Sequence, residues 1–232
     1  MLIAEIGQNH NGDIKLAKEL IHAAKDSGAD IAKFQYYDAK KLFSKHNNPW
    51  YEYNLATELK KDDVFELSEL CKNLDIEFMC TGFDVHKIKD LEEVNVKRYK
   101  IASRSIHDSD LIRSVIKTNK EIIASLGYWE SPYFPDYFPR ERTRFLYCIS
   151  KYPAQLSELK FQHNMFLRYD GFSDHSEGVN AVFVALALGA KIIEKHFTLD
   201  KKMYGPDHLC SATPDEFLEI RKFMNDLSEI YA

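Results

Sequence analysis

The chain is poor in glycine (9 residues), proline (7) and cysteine (4) over its 232 positions. With no repeat or low-complexity tract either, that scarcity excludes a collagen-like or disordered chain and leaves room for long regular elements. Cys71, Cys80, Cys148 and Cys210 are scattered without a Cys-x-x-Cys pair. Reduced thiols are expected, two of them in apolar strand-like runs, and not a disulfide framework or a zinc site. No apolar stretch approaches the roughly 18 residues of a spanning helix, and residues 1–5 enter a strand without a basic leader, so a cytoplasmic protein with no membrane partner is expected. The 31 basic residues are outnumbered by 36 acidic ones, giving a net charge of −5. No Lys/Arg run is long enough to track phosphates, which argues against nucleic acid. Neither Gly-x-Gly-x-x-Gly nor a P-loop occurs, so no nucleotide fold is indicated.

What the chain does have is 45% hydrophobic residues in alternating short and long patterns. Short β-branched or apolar runs lie at residues 2–7, 30–35, 77–81, 98–102, 121–125, 145–150, 169–173 and 191–194. Amphipathic helical patterns separate them at 15–27, 62–74, 85–94, 109–119, 155–167 and 179–188, with a last one at 214–230. This order predicts a single-domain (β/α)8 TIM barrel over residues 1–232, a doubly wound open sheet being the alternative. The fifth helix is missing. Residues 128–142, with Pro132, Pro135 and Pro139, cannot form a continuous helix and are expected to wrap the barrel irregularly, their aromatics packing and not boxing a cofactor. A second long loop, 36–59, carries Trp50, Tyr51 and Tyr53. It follows a strand's C-terminal end, the active-site face of such a barrel, where it would serve as a lid or acceptor wall.

The polar residues closing the strands would then share one rim: Gln8, Asn9 and His10, then Lys33 and Gln35, Thr81 and Asp84, Lys100 and Ser103, Ser125, Ser150 and Tyr152, Ser173 and His175, and His196. Two lysines and a row of hydroxyls suit an anionic phosphate or carboxylate. His175 and His196, each directly after a strand, suit one divalent cation beside it. His22, His46, His86 and His163 read as surface or capping histidines.

At these residues the chain resembles the sialic acid (N-acetylneuraminate) synthases. The resemblance rests on Ile3-Ala4-Glu5-Ile6-Gly7-Gln8-Asn9-His10, Ala32-Lys33-Phe34-Gln35, Cys80-Thr81, Tyr99-Lys100-Ile101-Ala102-Ser103, Ser125-Leu126-Gly127, Tyr152-Pro153, Ser173-Asp174-His175 and the stretch from 194 to 211. It implies a phosphoenolpyruvate site at Lys33, Thr81, Lys100, Ser103, Ser125, Ser173 and Ser150, with Gln35, Tyr152 and Asp207 as further substrate contacts. It also implies metal ligands at His175 and His196. The implied chemistry is attack of phosphoenolpyruvate C3 on the aldehyde of an open-chain sugar, followed by water at C2 and loss of phosphate. The metal would be manganese, with magnesium or cobalt as alternatives.

Two family glutamates are replaced, by Asn11 and Ser105. Lys33, Lys100, Glu5 and Asp174 therefore stand as the catalytic candidates, with Asp84 and Glu177 as further carboxylates. The family's C-terminal antifreeze-like domain has no counterpart in the chain. The resemblance thus implies a synthase whose acceptor differs from N-acetylmannosamine, in a possible homodimer. A metal-dependent aldolase of a 2-keto acid and a non-catalytic binding module remain as alternatives.

Overall fold

The computed structural model describes residues 1–231. Eight strands form: β1 (Leu2–Gly7), β2 (Ile31–Tyr36), β3 (Glu77–Gly82), β4 (Arg98–Ile101), β5 (Glu121–Ser125), β6 (Thr143–Cys148), β7 (Gly171–Asp174) and β8 (Ile192–His196). Every ladder is parallel and the order is β3-β2-β1-β8-β7-β6-β5-β4. The two end strands lie side by side, where Arg98 of β4 reaches Glu77 of β3 at 2.7 Å and Glu121 of β5 at 2.9 Å. This is the expected (β/α)8 barrel, with a seam between β3 and β4.

The strands are buried on both faces, as parallel strands covered by helices must be. Inside the barrel, Ile3, Ile31, Met79, Ile123, Leu146 and Ile192 form one apolar layer. Side chains alternate along a strand, so the residues two positions further on occupy the next layer up. Those residues are Glu5, Lys33, Thr81, Ser125, Cys148 and Glu194. The alternation thus builds an apolar plug below and a polar floor above it, at the C-terminal mouth.

Outside the barrel the helices are α1 (Ile14–Asp26), α2 (Ala39–Leu42), α3 (Tyr51–Ala56), α4 (Lys61–Asn73), α5 (Val85–Glu93), α6 (Ser109–Lys117), α7 (Met165–Arg168), α8 (Asn180–Ala187) and α9 (Pro214–Ile230). Their starts are set by side-chain oxygens that satisfy free backbone N–H groups: Asp13 for α1, Asp84 for α5, Asp108 for α6, and Thr213 with Glu216 and Pro214 for α9. Several stops are left-handed residues such as Asn95 (φ 53°) and Asn119 (φ 59°).

No α-helix joins β5 to β6, only a 3-10 turn at Arg140–Arg142. As expected, residues 128–142 run as an irregular strap, in which Phe134 and Phe138 pack on Phe145 of β6 at 4.5 and 5.8 Å between ring centres. Three expectations need correction. The helix expected at 155–167 reduces to a single 3-10 turn at Leu156–Glu158 and the four-residue α7, with Lys160 between them at φ 48°. The 36–59 segment contains two short helices, α2 and α3, and is not loop throughout. His196 is the last residue of β8 and does not follow it. All four cysteines are free and buried, and no described helix is long and apolar enough to cross a membrane.

Candidate active site

Four charged side chains meet at the polar floor, each 5% exposed or less: Glu5, Lys33, Lys100 and Glu194. Lys33 Nζ donates to Glu5 Oε2 at 2.5 Å and lies 3.4 Å from Glu194 Oε2. Lys100 Nζ lies 3.5 Å from Glu194 Oε1 and donates to Ser125 Oγ at 2.7 Å. Gln35 Nε2 donates to Glu5 Oε1 at 2.8 Å, and Ser173 Oγ to Glu194 Oε1 at 2.8 Å. Burial alone would raise the Glu194 carboxyl, yet Lys100, Lys33 and the Ser173 hydroxyl hold it at about 2. Burial pushes the Glu5 carboxyl above its usual range even with Lys33 beside it. Burial also lowers the Lys100 ammonium, whereas Glu194 and Glu5 outweigh burial at Lys33 and raise it. The floor therefore holds its cations against carboxylates of its own, a nearly neutral set awaiting a charged ligand.

A small cavity of about 50 Å³ stands over this floor, lined also by Thr81, Phe83, Ser103, Tyr152, His175 and His196. Two polar atoms facing it are buried without a partner: Thr81 Oγ1 and His196 Nδ1. Unpaired buried polar atoms are costly, so their grouping fits a ligand that would pair them. On the β5–β6 side the backbone comes close. Gly127 N–H donates to Ser103 Oγ at 3.0 Å, and a Cβ at Gly127 would stand 2.2 Å from Ser150 Oγ, so only glycine fits there.

His175 and His196 present their rings side by side, centres 5.7 Å apart, with the Tyr152 ring tilted over His175 at 4.2 Å. His175 Nδ1–H donates to the Ile149 carbonyl at 2.7 Å, which leaves its Nε2 lone pair free. Burial lowers His175 to about 4 and takes His196 well below the imidazole range, so both rings are neutral at physiological pH. Asp207 Oδ2 lies 3.9 Å from His196 Nδ1, and burial with the nearby Glu5 raises its carboxyl to about 7. Among the described residues, no three His, Cys, Asp or Glu side chains are gathered for a metal.

The small cavity opens into a larger one of about 490 Å³, walled by Gln8, Phe43, Trp50, Asn54, Arg104, Asp207 and their neighbours. The 36–59 segment thus lies over its own barrel's mouth. Gln8 Nε2 donates to Tyr37 OH at 2.6 Å and Asn54 Oδ1 at 3.1 Å, and Trp50 meets Tyr53 and Tyr204 edge-on or tilted at 5.7 and 5.3 Å.

Of the residues expected from the sequence, Lys33, Gln35, Thr81, Lys100, Ser103, Ser125, Ser150, Tyr152, Ser173, His175, His196, Asp207 and Glu5 all line the two cavities. Asp174 does not. Its neighbour Ser173 points into the barrel, so Asp174 points out, where it accepts from Lys195 Nζ at 2.7 Å and from the Ser176 N–H and hydroxyl at 2.9 and 2.8 Å. Both members of that pair are fully buried. Asp84 caps α5 and is likewise no part of the mouth. Asn11 accepts from Tyr53 OH at 2.6 Å and lies 3.2 Å from His208 Nε2, away from both cavities, and Ser105 lines neither. The two positions where the resemblance led one to expect glutamate therefore fall outside the lining. Glu194 is the residue that sequence reasoning missed; standing two positions before His196 in one strand, it had to share that residue's inward face.

The NeuB family pattern matches residues 20–231. The chain is 36% identical over 258 residues to the N,N'-diacetyllegionaminic acid synthase of Legionella pneumophila, covering 99% of this chain and 72% of that one. It is 31% identical to the N-acetylneuraminate-9-phosphate synthase of Homo sapiens, covering 94% and 67%. Among solved structures, an N-acetylneuraminic acid synthetase from Leptospira borgpetersenii, in complex with citrate, superposes with a TM-score of 0.88 at 30% identity over all of this chain and 84% of that one.

Proposed function

This chain belongs to the NeuB family, and we propose that it condenses phosphoenolpyruvate with the open-chain aldehyde of a sugar to give a 2-keto sugar acid and phosphate. The observation that carries the reading is the buried Lys33–Glu194–Lys100 cluster at the mouth, ringed by hydroxyls and unpaired polar atoms. Phosphoenolpyruvate is small and carries a phosphate and a carboxylate, so it matches a compact floor with two cations. Ser103, Ser125, Ser150, Ser173 and Thr81 supply further hydroxyls for its oxygens, the Gly127 N–H holding Ser103 Oγ in place.

In this reading the donor lies on the floor with C3 directed toward the larger cavity, where the aldehyde is held. Condensation forms the C3–carbon bond, water adds at C2, and the C–O bond to phosphate breaks. Asp207, with its carboxyl near 7 beside His196, is placed to give a proton to the oxygen that becomes a hydroxyl. The segment with Trp50 and Asn54 narrows the mouth and limits water.

The two neutral imidazoles fit a divalent metal: His175 Nδ1 is engaged by the Ile149 carbonyl, which leaves Nε2 as its free nitrogen, and His196 has a buried Nδ1 without a partner. His175 and His196 would hold it with Asp207 close by, manganese being our assignment. Bound there, such a cation polarises the aldehyde as a Lewis acid.

The test is phosphate release from phosphoenolpyruvate with and without an added sugar aldehyde. A synthase releases phosphate in step with sugar consumed. Pyruvate without a sugar acid would mean aldolase chemistry, and no turnover with intact binding would mean a binding module.

A further inference from the structure

The names of the relatives divide on whether the product carries a phosphate, and one side chain of the outer cavity bears on that choice here. Arg104 is the only Lys or Arg that lines it. Its guanidinium is held in place by Nη2 donating to the Leu42 carbonyl at 3.0 Å and by the Phe43 ring 5.2 Å away. Neither contact neutralises it. Arg98, Arg113, Arg140, Arg144 and Arg221 each have a carboxylate partner, whereas Arg104, like Arg142 and Arg168 elsewhere on the barrel, bonds to backbone carbonyl alone and has none among the described residues. A guanidinium has five N–H donors, so most of this fork is left unused at the cavity wall. The only acidic lining residue, Asp207, stands by His196 at the inner site.

We propose that the acceptor carries an anionic group, phosphate or carboxylate, away from its aldehyde, and that Arg104 binds it. The inference rests on the synthase reading, which gives the outer cavity to the acceptor. Arg104 lines the outer cavity and not the inner one, so an anion held there leaves the uncharged aldehyde pointing inward, which orients the sugar besides selecting it. A neutral sugar would leave the fork to water and gain little from it. A bidentate charge-assisted contact is worth roughly tenfold or more in affinity.

The test is calorimetric titration with N-acetylmannosamine, its 6-phosphate and the corresponding uronic acid, with and without phosphoenolpyruvate, in chelator so that no turnover follows. At least one anionic sugar should bind roughly tenfold tighter than the neutral one, and the two anionic arms separate phosphate from carboxylate. Arg104→Gln should erase the preference and Arg104→Lys keep part of it. Because Arg104 is exposed, neither change disturbs the core. Phosphoenolpyruvate should bind Arg104→Gln as it binds the parent. Equal or undetectable binding of all three sugars, a preference that survives Arg104→Gln, or a parallel loss of phosphoenolpyruvate affinity would each overturn the assignment. Failure of the parent to bind phosphoenolpyruvate would instead sink the synthase reading, and the titrations without donor would still report on Arg104.

Discussion

Asp174 and Lys195 each stand beside a histidine in sequence and face away from it in space. In a strand, neighbours point to opposite sides, so adjacency to His175 argued against Asp174 sharing its cavity. The same alternation makes Glu194 legible once β8 is allowed to run to His196, and it was overlooked because that strand was ended two residues early. The ion pair instead fastens the ends of β7 and β8 that carry the two rings. Asp174→Asn would leave the Lys195 ammonium buried without its counter-charge and is expected to cost about 3–5 kcal/mol of stability, read by denaturant unfolding. His175→Ala and His196→Ala should behave differently, abolishing manganese uptake by the folded protein with a much smaller loss of stability; unchanged stoichiometry in both variants would refute the metal assignment. Lys100→Met removes a charge-assisted partner of the donor and leaves Glu194 less balanced, so phosphoenolpyruvate binding should weaken by roughly 2–4 kcal/mol by calorimetry.

Among the elements, the eight strands and most helices were readable because apolar periodicity and helix caps act locally. The exception at 155–167 is instructive. Its Leu and Phe spacing suits a helix, but Phe161 packs against Phe172 and Tyr147 at 5.1 and 5.9 Å, and Lys160 turns left-handed to let it. Packing on the barrel overrode local preference there, and nothing within the segment announces it. The strap over β6 was legible by its prolines, though not its anchoring. Phe138→Ala is expected to destabilise the fold by about 3–5 kcal/mol, since a buried ring lost from a packed aromatic cluster leaves a cavity; thermal unfolding measures it. The 36–59 segment makes the opposite prediction. Its tip carries Asn48 and Trp50 on the outer cavity, so deleting residues 47–53 should impair acceptor use and leave phosphoenolpyruvate binding intact. Equal loss of both would make the segment structural.

At the scale of the whole molecule, an apolar plug closes the barrel from below, and the polar floor is reached only through the mouth. The floor was half legible. Residue types and strand ends can be read from a sequence, but the partnering of both lysines with Glu194 joins β2 and β4 to β8, strands far apart in the chain. That partnering has a consequence for the proton inventory. A ligand with two or three negative charges enters a site whose cations are already balanced, so it adds net charge to a dry interior. The cheapest relief is to protonate the carboxyls that burial has already raised, Glu5 and Asp207. Phosphoenolpyruvate should therefore take up protons as it binds. In metal-free protein its affinity should fall as the pH rises through about 7, where Asp207 would otherwise ionise. Titrations at one pH in buffers of different ionisation enthalpy should then give different heats, and identical heats would mean that the anion is accommodated without any change in protonation.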